Sequence, residues 1–333
     1  MNLKIKLIIL SLSVTQTTYA FDKGIGIHPE SENLSPRDYI NFMEKYKFSS
    51  FRADYKWQSV EKKPNDFADG NSKTEKLINM ANSKGIKPII ILNYGNPIYG
   101  IDRPLDENQR QHFNQYVNWV TTHLKGKVYA YEIWNEWSIS KTPTFDGTSK
   151  NSAILYFKLV KQVSDTIHKN DSDAKILAGS FNPFSSEQRK WAILLVRLGI
   201  LNYIDGISIH PYSSLNASST PLVKHNIDTI DRLERLMKSN SSMKKNIDIY
   251  VTEIGFPTFK KSSYPQDEVA EYAVDFIKQT SKKNYIKGVW WYELVDNSEN
   301  SDNKENNYGI LYFNHKEKPI ASKFKDTSSK LDK

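Results

Sequence analysis

Eight short apolar runs alternate with amphipathic stretches along almost the whole chain. Each run has the length of a buried strand, and each stretch between runs repeats apolar residues at helical spacing. The runs are Gly24–Pro29, Ser50–Tyr55, Pro88–Tyr94, Val128–Trp134, Ile176–Ser180, Gly206–His210, Ile249–Glu253 and Gly288–Tyr292. The stretches are Pro36–Tyr46, Thr74–Lys84, Glu107–Leu124, Ser152–His168, Ser186–Leu198, Thr220–Met237 and Gln266–Lys282. Strands that alternate with helices in this way predict a parallel sheet.

Eight such units in a chain of this length favour closure into a (β/α)₈ TIM barrel, an α/β fold of about 250 residues or more. The alternative is an open doubly wound sheet, which usually carries a glycine-rich phosphate loop after its first strand. The segment Gly24–Ile27 lacks the third glycine of that loop and lies within a strand. We find no linker or composition shift. We therefore expect a single barrel domain over residues 21–326 and a polar tail over 327–333.

The first twenty residues have the pattern of a secretory signal peptide. Lys4 and Lys6 precede the apolar run Leu7–Val14, and small residues follow up to Ala20. The alternative is an uncleaved anchor, but the run is shorter than the roughly 20 apolar residues that span a bilayer. We expect cleavage after Ala20 and a secreted or periplasmic protein that has no membrane association after cleavage.

The composition excludes several classes of site. The chain contains no cysteine, so disulfides, cysteine-based zinc sites and thiol nucleophiles are excluded. The net charge is +8, yet the lysines are scattered and form no block of like charge. This pattern is typical of a solvated basic surface, with an anionic polysaccharide substrate as the alternative. We expect a monomer without a nucleic-acid partner.

Two predicted strands end in a carboxylate. The fourth ends with Trp134-Asn135-Glu136, and the seventh ends with Glu253. Functional residues of TIM barrels gather at the carboxyl ends of the strands, so the two acids should face each other across one rim. Glycoside hydrolysis uses two carboxylates on opposite sides of the scissile bond. Glu132 is a rival acid deeper in the same strand, and we interpret it as a buried partner of Arg52 or of a backbone donor.

These motifs resemble glycoside hydrolase clan A, a group of retaining (β/α)₈ barrels. Trp134-Asn135-Glu136 and Thr252–Gly255 resemble its two carboxylate signatures, and Ile209–Tyr212 and Trp290–Leu294 resemble its sixth and eighth strands. The resemblance covers nearly all of the chain after residue 20. Within the clan it is greatest to family 39 and related bacterial exopolysaccharide hydrolases, although Trp137 stands where family 39 commonly has proline.

The resemblance implies a role for each residue of the two motifs. Glu136 would be the general acid/base and Glu253 the nucleophile. Asn135 would hydrogen-bond the sugar 2-hydroxyl, Tyr212 would donate to Glu253, and His210 would orient one of the two carboxylates. No metal or organic cofactor is needed for this chemistry.

Other candidate contacts remain open between a site role and a structural role. Arg52 is either a site cation or the buried partner of Glu132, and His28 is either a sugar contact or a core histidine. Aromatic rings at predicted strand ends could stack on the apolar faces of sugars. The candidate rings include Trp57, Tyr94, Trp137, Trp290, Trp291 and Tyr292, and one of Trp290 and Trp291 is expected to floor the site. The polar segment Asp296–Asn307 could contact substrate.

These features predict a retaining endo-β-glycosidase that cleaves a bacterial exopolysaccharide or capsule-type polysaccharide. An exo-acting β-glycosidase is one alternative, disfavoured by the shortness of most βα loops. A catalytically inactive carbohydrate-binding barrel is another, although it would be expected to lose a carboxylate and this chain keeps both. Charge alone points to a nucleic-acid or membrane-surface binder, whose binding would depend strongly on salt.

Overall fold

The computed structural model describes residues 21–213, 222–243, 246–262, 264–300 and 302–327. Eight parallel strands close into a barrel, in which each strand pairs with its sequence neighbours and the last pairs with the first. The strands are β1 (Asp22–Gly26), β2 (Ser50–Lys56), β3 (Lys87–Asn93), β4 (Ala130–Ile133), β5 (Lys175–Phe181), β6 (Gly206–Ile209), β7 (Ile249–Ile254) and β8 (Ile286–Trp291). The prediction of a single-domain TIM barrel is confirmed. The predicted signal peptide, and the tail after Thr327, lie outside the described residues.

A helix of eight residues or more follows each strand. These helices are α1 (Pro36–Lys45), α2 (Ser72–Ser83), α3 (Glu107–His123), α4 (Lys150–Asn170), α5 (Ser186–Arg197), α6 (Val223–Asn240), α7 (Gln266–Thr280) and α8 (Pro319–Asp326). The sequence patterns predict the first seven but not the short α8. The predicted start of the sixth, Thr220, lies outside the described residues. Among the described residues, none of the helices combines the length and apolar character that a membrane crossing requires.

Capping side chains account for two of the helix starts. The Ser35 hydroxyl accepts a hydrogen bond from the Asp38 backbone N–H, and the Asp38 carboxylate accepts one from the Ser35 backbone. Asp106 and Gln109 form the same reciprocal pair at the start of α3. Such boxes satisfy backbone donors that the first helical turn leaves without partners.

Two small antiparallel ribbons extend the loops at the carboxyl ends of the strands. Glu61–Lys63 pairs with Asp66–Phe67 after β2, and Lys141–Thr142 pairs with Phe145–Asp146 after β4. A four-residue helix, Trp57–Val60, precedes the first ribbon. The loops after β2 and β4 are therefore ordered, and they border the barrel mouth where functional groups of this fold are found.

The apolar core has two parts. The larger part lies between the barrel and its helices, and the smaller part fills the barrel interior. The interior set comprises Ile89, Ala130, Leu177, Tyr250 and Trp290. A Cβ on Gly24 would lie 2.1 Å from the Trp290 ring, so only glycine fits opposite this indole. The interior is thus closed below the mouth, and ligand access is from the mouth alone.

Lys23 ties the C-terminal helix to β1. Its buried Nζ donates to the carbonyl oxygens of Tyr46 at 2.9 Å, Phe324 at 3.0 Å and Thr327 at 2.8 Å. Burial, with a smaller effect of the Lys47 charge, lowers the pKa of this lysine to about 7. The Lys23 amino group therefore links the C-terminal ends of α1 and α8 by hydrogen bonds.

Candidate active site

Glu136 reaches the barrel mouth through an unusual turn. β4 ends at Ile133, and the backbone then adopts positive φ angles at Trp134 (65°) and at Glu136 (49°). Side-chain crowding makes this left-handed region uncommon for residues other than glycine, and where it occurs it is often at functional sites. The turn leaves the Trp134 ring buried and brings the Glu136 carboxylate into the cleft.

Glu253 faces Glu136 because β7 is irregular near its end. Strict alternation would place Glu253 opposite Thr252, which points into the barrel, but the pairing register with β8 shifts between Val251 and Ile254. A carboxylate oxygen of Glu136, one of Glu253 and a ring nitrogen of His210 all lie within 4.8 Å of one another. Retaining glycosidases hold their carboxyl groups about 5–5.5 Å apart, and inverting enzymes about 6.5–9.5 Å. The spacing fits a retaining site.

The guanidinium of Arg52 joins three acceptors at the base of the cleft. It donates to Glu132 at 2.5 Å, to Glu253 at 2.6 Å and to the Asn135 amide oxygen at 2.9 Å. Burial opposes the charge of Arg52, but the two carboxylates outweigh it and raise the pKa of the guanidinium. Arg52 is therefore both a cation of the site and the buried partner of Glu132, because its planar guanidinium presents several donors that reach both carboxylates.

His210 lies directly beneath the cleft and is fully buried. Its Nδ1 is 2.9 Å from Glu136, and its Nε2 is 3.1 Å from the Thr252 hydroxyl, which donates in turn to Glu132 at 2.9 Å. Because the single hydroxyl proton of Thr252 is given to Glu132, Nε2 must carry a proton. One further proton then lies between Nδ1 and Glu136, on either atom.

The charges around His210 favour its protonated form. Burial acts against the imidazolium, but the Glu253 carboxylate and the hydrogen bond to Glu136 outweigh that effect and raise the pKa of His210 above 6.5. The Arg52 charge acts in the opposite direction and is the smallest contribution. His210 is thus poised to exchange a proton with Glu136.

Two further predicted residues contact this centre. The Tyr212 hydroxyl donates to the second oxygen of Glu253 at 3.1 Å. The Asn135 amide nitrogen donates to the Tyr94 hydroxyl at 3.1 Å, while its oxygen accepts from Arg52. Both Glu253 oxygens therefore have donors, and Asn135 is held at both ends.

His28 lines the cleft and also has buried acidic partners. Its Nε2 lies 3.0 Å from Glu293, and its Nδ1 lies 3.7 Å from Asp54. Burial acts against the charge of His28, but the two carboxylates outweigh it and raise its pKa well above 6.5. Burial raises the pKa of Glu293 to about 7, opposed by His28. His28 therefore lines the cleft and is also paired with two carboxylates.

The cleft has a volume of about 400 Å³. Several residues that line it were not identified as site residues from the sequence. These are Asp54, Asn182, Gln188, Glu305 and Tyr308, whereas Tyr292, which also lines the cleft, belongs to the rings expected there from the sequence. Glu305 belongs to the segment Asp296–Asn307, which the sequence marked as a potential substrate contact. Asp54 stands two residues after Arg52 on β2, so strand alternation was the available signal for it. The peptide bonds Asn93–Tyr94 and Tyr292–Glu293 are cis.

The four tryptophans expected at the cleft do not line it. Trp290 stacks on Tyr250 inside the barrel, and Trp291 packs outward against Phe256 and Phe324, so neither floors the site. The aromatic ring that lines the cleft next to the end of β8 is that of Tyr292.

Trp57 and Trp137 are also fully buried, away from the cleft. Trp57 stacks on Tyr116 and donates to Glu61, and Trp137 packs beside Tyr156 and donates to Ser152. Their indoles pack between the barrel and its helices, where burying a large ring stabilises most.

Glu136, His210 and Glu253 are the one set of acidic and histidine side chains, within the described ranges, whose ligand atoms lie close enough to hold a metal ion. Arg52 already places a cation 2.6 Å from Glu253, and Tyr212 occupies its other oxygen. Electrostatic repulsion from the guanidinium disfavours a divalent ion here.

Comparison with known proteins identifies one family and several relatives. The family model described as cellulase, glycosyl hydrolase family 5, matches residues 23–294. The endo-1,4-beta-xylanase A of Thermotoga maritima is 24% identical over 220 residues, and that of Thermotoga neapolitana is 23% identical over 220 residues. Each match covers 62% of this chain and 19% of the relative, so the chain spans about a fifth of the length of these relatives.

Solved structures share the fold across the described barrel. A family 39 glycoside hydrolase from Bacteroides cellulosilyticus WH2 has a TM-score of 0.77 at 24% identity, covering 92% of this chain and 63% of that one. A GH5_18 protein from Streptomyces cattleya, in complex with GlcNAc, has a TM-score of 0.71 at 12% identity, covering 93% and 80%. Xylanase 10B from Thermotoga maritima has a TM-score of 0.68 at 15% identity, covering 93% and 95%.

The resemblance to clan A is confirmed by the family match, since family 5 belongs to that clan. The sequence motifs resemble family 39 most, and a family 39 structure is among those that share the fold. The family model that matches the chain, however, is that of family 5. The chain belongs to the cellulase family, glycosyl hydrolase family 5.

Proposed function

We propose that this protein is an exported endo-β-glycosidase that cleaves a bacterial exopolysaccharide or capsule-type polysaccharide, with Glu136 as acid/base and Glu253 as nucleophile. The observation that carries the assignment of roles is the environment of the two carboxylates. Both oxygens of Glu253 accept hydrogen bonds, one from Arg52 and one from Tyr212, and these fix the position of the carboxylate. Glu136 instead shares a proton with His210, so it can both give and take one.

The reaction has two displacements. In the first, a Glu253 oxygen bonds to the anomeric carbon while the glycosidic C–O bond breaks, and Glu136 gives its proton to the departing oxygen. In the second, Glu136 takes a proton from a water molecule whose oxygen attacks the same carbon, and the bond to Glu253 breaks. Two inversions retain the configuration of the sugar.

The shape of the mouth supports endo action on a polymer. Two further cavities, of about 400 and 230 Å³, adjoin the cleft on the side of β1 to β3. Tyr94 is shared by the cleft and the larger cavity, and His28 and Asp54 are shared with the smaller one. A saccharide chain could thus extend beyond the sugar at the cleavage point, as internal cleavage requires.

The first experiment measures reducing ends released by purified residues 21–333 from a panel of β-linked and bacterial exopolysaccharides, beside Glu136→Gln and Glu253→Gln. The matched control is Glu44→Gln, which changes an exposed carboxylate of α1 away from the cleft. We expect both variants to lose about 10²–10⁴-fold or more in rate. We expect the control to stay within a few-fold of the unsubstituted protein. Equal activity of Glu253→Gln would refute the nucleophile assignment.

A second measurement separates the two roles. A dinitrophenyl glycoside has a leaving group that needs no proton, so Glu136→Gln should still release an initial burst of phenolate, whereas Glu253→Gln should release none. Product lengths distinguish the alternatives. Mid-length fragments at early times support endo action, single sugars support exo action, and polysaccharide binding without any cleavage supports the inactive binding barrel.

Export is tested separately. We propose removal of residues 1–20, on the strength of the leader pattern ending at Ala20. The protein made from the full sequence should appear in the periplasm or medium with Phe21 as its first residue. Retention in the membrane fraction with an intact N-terminus would support the anchor instead.

A further inference from the structure

A second cavity, of about 640 Å³, lies on the outer surface of the barrel against α3. We refer to it as the α3 groove, defined by Asn65, Phe67, Gln115, Asn118, Trp119 and His123. None of its lining residues lines the catalytic cleft. The two are separate features of the molecule.

The α3 groove contains a row of nearly parallel rings. The Trp119 indole lies 4.7 Å from the His123 ring, with 12° between the planes, and 6.2 Å from the Phe67 ring, with 18° between the planes. Trp119 and Phe67 are half-buried, and His123 is exposed. The row is therefore partly accessible to solvent and presents ring surface to the groove.

Trp119 lies at the edge of the buried face of α3 and is not one of its fully buried residues. The buried face of α3 carries Phe113, Tyr116, Val117 and Val120. Trp119 lies instead on a polar stripe with Gln115, Asn118 and Thr122, spaced four, one and three residues away. The indole packs against the edge of the core with one part of its surface and remains accessible from the groove with another.

The amides that border the rings have hydrogen-bonding capacity to spare. The side chains of Asn65 and Gln115 make no hydrogen bond to any described residue, and both are exposed. The Asn118 oxygen accepts from Asn170, which leaves its NH₂ group without a partner in the described chain. Three amides that line the groove therefore have donors or acceptors without a partner among the described residues.

The groove carries little charge. Lys169 is the only lysine, arginine or carboxylate among the described residues that line it, and His123 already pairs with Glu75 at 2.9 Å. A nucleic acid would need several cations for its phosphates, and an apolar peptide would leave the amides without partners. Rings together with uncharged donors and acceptors match the apolar faces and hydroxyl groups of a neutral sugar.

We propose that the α3 groove is a second carbohydrate-binding site, which holds an uncharged stretch of polysaccharide outside the catalytic cleft. The proposal takes from the proposed function only that the protein meets a polysaccharide. Binding here keeps the enzyme on its polymer between cleavages. It raises the local concentration of polymer at the cleft without a change in the chemistry.

The test is electrophoresis in native gels that contain soluble xylan, β-glucan or mannan. The protein is Glu253→Gln, so that the gel polymer stays intact, with and without Asn65→Ala, Gln115→Ala and Asn118→Ala together. We expect at least one polysaccharide to slow the parent, and the triple variant to bind it about tenfold or more weakly, since three hydrogen bonds are lost. Trp119→Phe should keep part of the binding and Trp119→Ala almost none.

Exposed amides away from the groove provide the control. Gln111→Ala with Asn151→Ala should leave migration unchanged, and thermal unfolding of every variant verifies folding. With Glu253 restored, the triple variant should hydrolyse a short aryl glycoside at the unsubstituted rate. Migration that is unaffected by all three polysaccharides, or equally slowed in the triple variant, overturns the second site. Groove-dependent binding by a protein that cleaves nothing would instead remove the proposed function and leave the second site standing.

Discussion

The Nδ1 atom of His210 lies 2.9 Å from Oε1 of Glu136 beneath the floor of the cleft. His210 is buried and touches no substrate, so it acts through Glu136 as a positioning residue. We expect His210→Gln to lower kcat/KM about 100-fold, as misplacement of a reacting group does. The alkaline limb of the pH profile should also move, because the proton shared by the pair is lost. A lower rate with an unchanged pH profile would indicate a purely structural role.

The same residue should make stability depend on pH. The pKa of His210 is raised in the folded protein, so its contribution to the unfolding free energy is fully present below about 6.5 and is lost as pH rises through the folded value. Urea titrations at pH 5.5 and 8.5 give the unfolding free energy of each protein. From pH 5.5 to 8.5 this free energy should therefore fall less in His210→Gln than in the unsubstituted protein. His225→Gln, an exposed histidine, should leave that difference intact.

Arg52 balances two acidic side chains that are almost completely buried. Arg52→Met leaves Glu132 and Glu253 facing each other without a cation, which should lower the unfolding free energy by about 3–5 kcal/mol. Adding Glu132→Gln should recover part of that loss, and Arg37→Met, at an exposed arginine, should cost little. Denaturant titration measures all four proteins. If Arg52→Met alone unfolds at the unsubstituted midpoint, the ion pairs have no net role in stability.

Trp290 in β8 and Tyr292, the residue directly after β8, should respond differently to substitution. Tyr292→Ala removes a cleft wall and should raise KM at least several-fold with little change in stability. Trp290→Ala empties part of the barrel interior and should cost about 3–5 kcal/mol, with KM unchanged in the folded fraction. Kinetics and thermal unfolding of both variants check the assignment. A raised KM for Trp290→Ala would contradict the position of its ring.

Lys23 should give a second pH dependence. Its pKa is lowered to about 7 in the folded protein and is about 10.4 in an unfolded chain, so between these values the unfolded state binds the extra proton. Stability contributed by this group therefore rises with pH over that window. The advantage of the unsubstituted protein over Lys23→Met should grow between pH 7 and 10. Lys125→Met, at an exposed lysine, should show no such trend.

The sequence predicted the barrel because eight hydrophobic periodicities agreed with one topology. The same patterns did not determine the register of the run Trp290-Trp291-Tyr292, since three consecutive rings give no polar alternation to distinguish inside from outside. Pairing with β1 settles it by placing Trp290 opposite Gly24, whose lack of a side chain leaves room for the indole.

The site was predictable where residue chemistry is specific and unpredictable where the backbone departs from regularity. Glu136 and Glu253 belong to recognisable motifs, but the turn at Trp134 and the register shift before Ile254 bring them into the cleft. The hydrophobic periodicity of the sequence predicts neither this turn nor this register shift. Arg52 was left between two roles because only the three-dimensional arrangement shows one guanidinium reaching both acids.

The hydrogen bonds from Glu136 through His210, Thr252, Glu132 and Arg52 to Glu253 form a continuous path under the floor of the cleft. A sugar that fills the cleft and expels its water leaves every link of this path in place. A proton gained or lost by one carboxylate can therefore still affect the other through this path when no water connects them.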